Sequence, residues 1–142
     1  MGEVIDGVIL TPLKVIPLDD GDVLHGMKNE DDGFNGFGEA YFSEVKQYSI
    51  KAWKRHRKMT LNLIVPIGTI KFILLKETAG SIRSQSIIIS RDNYARLTIP
   101  PMVWFGFQGV ESTNMLLNIA DIVHDPMEVD KKALDAFDVV WS

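Results

Sequence analysis

Apolar and polar residues alternate with a period of two along most of this chain, in short runs separated by turn-forming residues. Val8-Ile9-Leu10 and Leu13-Lys14-Val15-Ile16-Pro17 are β-type runs. Pro12 and Pro17 confine them to edge or first-strand positions, because proline cannot donate to a central ladder. Asp19-Asp20-Gly21-Asp22 reads as a turn, Val23 to Lys28 as a short extended piece, and the glycine-rich, acidic Asn29 to Gly38 as a loop. Glu39 to Val45 reads as a strand. Tyr48 to Thr60 alternates, with Ala52, Lys54, His56, Lys58 and Thr60 on one face and Trp53, Arg55, Arg57 and Met59 on the other. Leu61 to Ile67 and Thr69 to Lys76 form two apolar strands about a Pro66/Gly68 turn. Beyond the turn Thr78-Ala79-Gly80-Ser81, the runs Ser86 to Ile89, Ala95 to Ile99, Val103 to Phe107 and Met115 to Ala120 complete the strands. The tail from Asp125 is more polar, with Met127 to Ala136 readable as a short helix capped by Asp125. About nine strands at spacings of roughly 8–12 residues predict an all-β sandwich or barrel.

Length and composition narrow this further. The 142 residues suit one domain, with the barrel over 8–125 and the tail over 126–142, and 46% hydrophobic content is ample for a core. There is no cysteine, so disulfides and thiolate metal sites are excluded. The opening Met1-Gly2-Glu3-Val4-Ile5-Asp6 lacks the basic-then-apolar pattern of a secretory leader. No run approaches the roughly 18 apolar residues of a membrane span. The expectation is a cytoplasmic protein without a membrane partner. A net charge of −4 argues against a general nucleic-acid binder.

Against that acidic background, five of the fifteen Lys and Arg residues fall between Lys51 and Lys58 and run into a core strand. Cations held by buried neighbours are either a solvated strand face or an anion site for phosphate or carboxylate. A contact with nucleic acid through the same stretch is a weaker reading, which would show steep salt dependence.

Several segments carry a family likeness. Gly38-Glu39-Ala40-Tyr41-Phe42-Ser43, Ile50 to His56, Met59-Thr60-Leu61-Asn62 and Val65-Pro66-Ile67-Gly68 resemble the first half of a cupin. Asn93-Tyr94, Ile99 to Phe107, and Asn118 through His124-Asp125-Pro126 resemble the second half. The chain looks most like the sugar-nucleotide branch containing dTDP-4-dehydrorhamnose 3,5-epimerase and the dTDP-sugar 3,4-ketoisomerases. The resemblance spans about residues 8–142. It implies a cupin double-stranded β-helix (a jelly-roll barrel), a homodimer, a dTDP-sugar ligand and metal-independent isomerase or epimerase chemistry in polysaccharide synthesis. The ligand positions of metal-binding cupins are matched here by Lys54, His56, Thr60 and Phe105, which leaves one potential ligand where at least three are needed, so no cofactor or metal is expected. The epimerases' catalytic His, Tyr and Asp match Lys54, Asn118 and Asp135. Of the ketoisomerases' His pair, His56 is retained.

Epimerisation and ketoisomerisation both remove a proton beside a ketone, which requires a base near neutral pH and a donor for the developing oxyanion. Imidazole titrates in that range, so His56 is either the base or a hydrogen-bonded core histidine. Lys54 is either an amine base or an electrostatic contact to phosphate or Asp135. Lys51, Arg55, Arg57 and Lys58 are candidates for the diphosphate, although alternation forbids all four from lining one cavity. Trp53, Trp104, Phe105 and Phe107 either stack on base or sugar or belong to core or interface. Asn62 and Asn118 are candidate polar contacts. The likeness implies that His25 reaches across a dimer. Asp6, Asp19, Asp20, Asp31 and Asp32 read as solvated loop charges. Gly33 to Gly38 is followed by a strand rather than a helix, so it is no phosphate loop. The rival to an enzyme is a binding module that keeps barrel and cations but has lost proton transfer. A pocket shared by Lys54, His56 and an acid would favour the enzyme; a barrel plugged by aromatic rings would favour the module.

Overall fold

The computed structural model of the chain describes residues 5–141, so Met1 to Val4, within the stretch read for a leader, lie outside it. The strands are β1 Ile9–Pro12, β2 Val15–Ile16, β3 Val23–Leu24, β4 Glu39–Glu44, β5 Ile50–His56 and β6 Leu61–Ile67. They continue as β7 Ile70–Thr78, β8 Ser81–Ile89, β9 Ala95–Ile99, β10 Trp104–Gly109, β11 Met115–Ala120 and β12 Val129–Lys131. One five-stranded sheet runs β1-β9-β6-β11-β4, a second β12-β5-β10-β7-β8, and β2-β3 form a separate hairpin. All of these ladders are antiparallel. From β4 onward the chain passes repeatedly between the two large sheets, which is the jelly-roll, all-β architecture that the alternation predicts. No helix among the described residues is long and apolar enough to cross a membrane.

The core lies between the sheets and takes the inward positions of both. Leu61, Leu63, Val65, Leu97 and Ile99 come from the first, and Ile70, Phe72, Leu74 and Phe105 from the second. Burial of this apolar surface, at about 25 cal/mol per Å2, is the dominant favourable contribution. The outer face of the first sheet is covered by the loop before β4. Arg96, wholly buried, donates through Nη1 to the Gly26 carbonyl at 2.7 Å and to Asp31 at 3.2 Å. Asn62 donates to the Gly33 carbonyl at 3.0 Å and accepts from Thr98 Oγ1 at 2.6 Å. Asp31 is therefore part of a loop anchor rather than a free solvated charge.

Two segments differ from the pattern. β8 extends back to Ser81, because its polar first half is an edge strand that pairs with β7 throughout and leaves its side chains in water. The expected helix over Met127 to Ala136 is replaced by two 3-10 turns, Pro126–Glu128 and Leu134–Ala136, with β12 between them. The open edge of β5 supplies the physical reason, since an unpaired strand edge is satisfied by an added strand. β12 pairs there as Val129↔His56, Asp130↔Arg55 and Lys131↔Lys54. Asp125 caps the first turn as expected, accepting from Met127 N at 3.0 Å. The rest of the tail straps the outside of the second sheet, where Trp53, Ile73, Leu75 and Trp104 pack with Phe137, Val139 and Trp141.

Candidate active site

A pocket of about 450 Å3 opens between the two sheets at one end of the barrel. One wall is built by β4 and its neighbours. Alternation brings Glu39, Tyr41 and Ser43 to the same face, and the register Tyr41↔Asn118 and Ser43↔Leu116 places those β11 residues beside them. Leu63 of β6 continues this wall. The other wall comes from β5, β10 and β12, with Lys51, Lys54 and His56 beside Phe105, Phe107, Val129 and Lys131.

Strict alternation puts Lys51 and Lys54 on opposite faces of β5. A β-bulge brings them together: Phe105 pairs with Lys54 but Gly106 pairs with Ala52, so Trp53 is an extra residue on its strand. Gly106 is required there, since a Cβ would lie 2.6 Å from the Ala52 Cβ and 3.1 Å from the Trp53 ring.

His56 is the centre of the wall. Its Nδ1 is hydrogen-bonded to the carboxylate of Glu128, a residue that sequence reading did not single out. Side-chain exposure is 11% for His56 and 2% for Glu128, and the imidazole stacks on Phe105 with centroids 6.0 Å apart. The second Glu128 oxygen accepts from the backbone N–H groups of Lys58 (3.0 Å) and Met59 (3.1 Å). Burial pushes the Glu128 carboxyl up, but the bonds from His56, Lys58 and Met59 together outweigh it and hold the group below the usual carboxylate range. An ionised carboxylate can only accept, so Nδ1 carries the hydrogen, and whenever the ring is neutral its lone pair sits on Nε2.

On the opposite wall, Asn118 Nδ2 donates to the Tyr41 hydroxyl oxygen at 3.0 Å. Burial raises the Tyr41 pKa and the nearby Glu39 charge adds to that, against the lowering effect of Asn118. Tyr41 therefore stays protonated, with its own hydrogen left for a ligand. Lys54 moves the other way: burial first, then the charges of Lys131 and Lys51, lower its pKa. Lys51 is tied at Nζ to the Glu44 carbonyl at 3.0 Å. His124 borders the pocket, with its backbone N–H held by Glu39 at 3.0 Å.

The structure thus brings His56, Lys54, Lys51, Asn118 and Trp53 to one pocket, together with Tyr41, Glu39, His124, Lys131, Lys132 and the supporting Glu128. Other expected residues lie elsewhere. Asp135 is exposed in the last 3-10 turn, outside the pocket lining, and Glu128 holds the place beside the histidine. Arg55 and Arg57 both clasp Asp130, through Nη2 at 2.8 and 2.6 Å, on the outer face where they pin β12 to β5. They hold its carboxyl at about 2, the Arg57 bonds contributing most and those of Arg55 next. Trp104 is buried outside the barrel, between Arg55, Lys132 and Phe137. Asn62 anchors a loop, Lys58 is exposed, and His25 takes part through its backbone carbonyl, which accepts from Tyr94 OH at 2.7 Å. Among the described residues, no group of three or more His, Asp or Glu side chains converges as a metal site would require.

No protein-family model and no curated protein matches the chain. Solved structures do. A dTDP-sugar isomerase from Desulfovibrio desulfuricans G20 is 37% identical with a TM-score of 0.85, over 92% of this chain and 87% of that one. The sugar 3,4-ketoisomerase QdtA from Thermoanaerobacterium thermosaccharolyticum, in complex with TDP, is 21% identical with a TM-score of 0.77, over 91% and 90%. RmlC from Legionella pneumophila, in complex with dTDP-4-keto-L-rhamnose, is 14% identical with a TM-score of 0.80, over 95% and 77%. The last two likenesses establish the fold, and the first establishes kinship.

Proposed function

Since the chain belongs to the sugar-nucleotide branch of the RmlC-like cupins, the family of dTDP-sugar isomerases and epimerases, we propose that it isomerises a dTDP-linked 4-keto-6-deoxy sugar. The single observation that carries this reading is the His56–Glu128 pair facing a pocket whose other wall presents the Tyr41 hydroxyl. His56 Nε2 removes the proton from the carbon beside the ketone, and Glu128 stabilises the imidazolium that results. The electron pair moves to the carbonyl oxygen, giving an enolate. Return of a proton to the same carbon from the Tyr41 side inverts it, which is epimerisation. Transfer of the hydroxyl proton at that carbon to the enolate oxygen, with protonation at the former carbonyl carbon, moves the ketone, which is 3,4-ketoisomerisation. Both outcomes share the first step and use side chains alone.

The non-catalytic module fits less well. Phe105 and Phe107 line a wall without plugging the barrel, and a binding site has no need of a histidine oriented by a buried carboxylate. On the same reading we assign the protein to the cytoplasm, as a homodimer with His25 near the partner's site, supplying sugars for cell-surface polysaccharide. Dimerisation would also cover exposed sheet edges.

The test is solvent exchange. In heavy water, the protein should wash out a ring proton of dTDP-4-keto-6-deoxyglucose beside the ketone, observed by NMR, and His56→Ala should abolish this. Tight dTDP binding with no exchange would replace the enzyme by the binding module.

A further inference from the structure

Lys54 and Lys131 are directly opposite each other on β5 and β12, and both line the pocket. Like charges in cross-strand register destabilise a sheet unless something compensates them. Among the described residues neither amine has a carboxylate partner: Glu128 is engaged by His56 and two backbone N–H groups, and Asp130 by Arg55 and Arg57. The pocket lining therefore carries Lys51, Lys54, Lys131 and Lys132 against the single acid Glu39, which is held at the His124 N–H, and the excess positive charge beside the candidate base is balanced by an anion.

Position decides which anion. Lys54 and His56 are two residues apart on one strand face, so their Cα atoms are separated by roughly 7 Å. With the proton beside the ketone aimed at His56, the carbonyl oxygen is one bond further along the ring, within the span of the Lys54 side chain. The diphosphate hangs from the anomeric carbon on the far side of that ring, toward Lys51 at the other end of the same wall. We infer that Lys54, reinforced by Lys131, is a further catalytic residue: its ammonium binds the substrate's ketone oxygen and compensates the negative charge that develops there when His56 takes the proton. This inference rests on the isomerase reading and assigns a role within it. Partial burial and the neighbouring lysines disfavour the Lys54 ammonium, a penalty that an arriving oxyanion relieves. The attraction is thus greatest in the transition state, as catalysis requires.

The test compares unaltered protein with Lys54→Met, Lys54→Arg and Lys131→Met. It reads kcat and KM on dTDP-4-keto-6-deoxyglucose, proton exchange in heavy water, and dTDP affinity by calorimetry, with thermal midpoints to verify folding. Loss of an oxyanion donor typically lowers kcat by about 100- to 1,000-fold. K54M should fall by that much in both kcat and exchange while dTDP affinity holds, K54R should recover much of the rate, and K131M should lose less. If K54M instead weakens dTDP and substrate equally with kcat intact, Lys54 is a phosphate contact and the inference is overturned. Exchange that K54M leaves at full rate also overturns it. An absence of exchange with the unaltered protein would sink the isomerase reading itself, and this inference with it.

Discussion

Replacing Glu128 with Gln is the sharpest probe of the site, because the amide has the carboxylate's shape but a different hydrogen-bonding polarity. One Glu128 oxygen accepts from His56 Nδ1 and the other from the Lys58 and Met59 N–H groups. A glutamine has one oxygen. Its best placement keeps that oxygen on the two backbone donors and turns the NH2 toward His56. The ring nitrogen must then accept, so the hydrogen moves to Nε2 and the lone pair needed for proton abstraction is lost. A comparable inversion of the tautomer in a hydrolase triad lowers kcat by about 10,000-fold, and a loss of about 1,000-fold or more is expected here. Stability should suffer less than from truncation: the backbone donors stay satisfied, and the charge assistance lost from three bonds is offset by no longer burying a carboxylate charge.

Glu128→Ala makes the contrast. It orphans both backbone N–H groups in a region where Glu128 itself is only 3% exposed, and should cost roughly 2–4 kcal/mol. Denaturant unfolding and the heavy-water exchange rate, measured on both variants, separate the two roles. The reasoning fails if E128Q keeps more than a tenth of the exchange rate. It fails equally if E128Q and E128A lose stability and activity in parallel, because Glu128 would then be a structural plug with no hold on the tautomer.

Two further outcomes test the surroundings. Asp130 is held at about 2 by Arg57 and Arg55, against an ordinary 3.8, so its contribution is complete above about pH 3.8 and disappears as pH falls toward 2. Asp130→Asn should therefore flatten the acid limb of stability between those values, read by urea unfolding at a series of pH values; an unchanged limb would mean that the arginine clasp does not hold β12. Trp104→Ala should destabilise the fold by about 3–5 kcal/mol through loss of the outer aromatic cluster, with dTDP affinity little changed. Weakened dTDP binding in a stably folded W104A would instead make Trp104 a stacking surface for the base.

The strands from β4 to β7 and from β9 to β11 are legible because alternation and breakers agree there, and Gly68 and Pro100-Pro101 interrupt runs that must otherwise continue. Only the apolar end of β8 carries a strand signal, since an edge strand keeps few apolar residues. His56 and Lys54 were legible as candidates because titratable residues on an otherwise core-bound strand are unusual. Arg55 and Arg57 looked identical to them in composition, and only the register with β12 shows that their partner is an acid of this chain. Lys51 was obscured differently: the bulge at Trp53 leaves no mark in a period-two pattern, yet it decides which face the lysine joins.

Glu128 was the residue least open to sequence reading, and the reason bears on how such sites are assembled. It lies in a polar tail where an acid is the unremarkable choice, and the tail itself read as helix. What buries it is remote: the unpaired edge of β5 recruits β12, the Asp130 clasp fixes the register, and that register delivers the preceding residue to the back of His56 and to two unpaired backbone donors. The acid needed by the base is thus a consequence of finishing the sheet. Asp135, chosen by likeness alone, lies only seven positions further along, but beyond β12, where the chain has already left the pocket for the outer face. The same edge pairing sets Lys131 opposite Lys54. One short strand and the turn leading into it therefore supply both charges that tune this wall, a buried negative behind the imidazole and a positive beside the neighbouring lysine. Changes that loosen β12 should consequently weaken proton abstraction and charge stabilisation together.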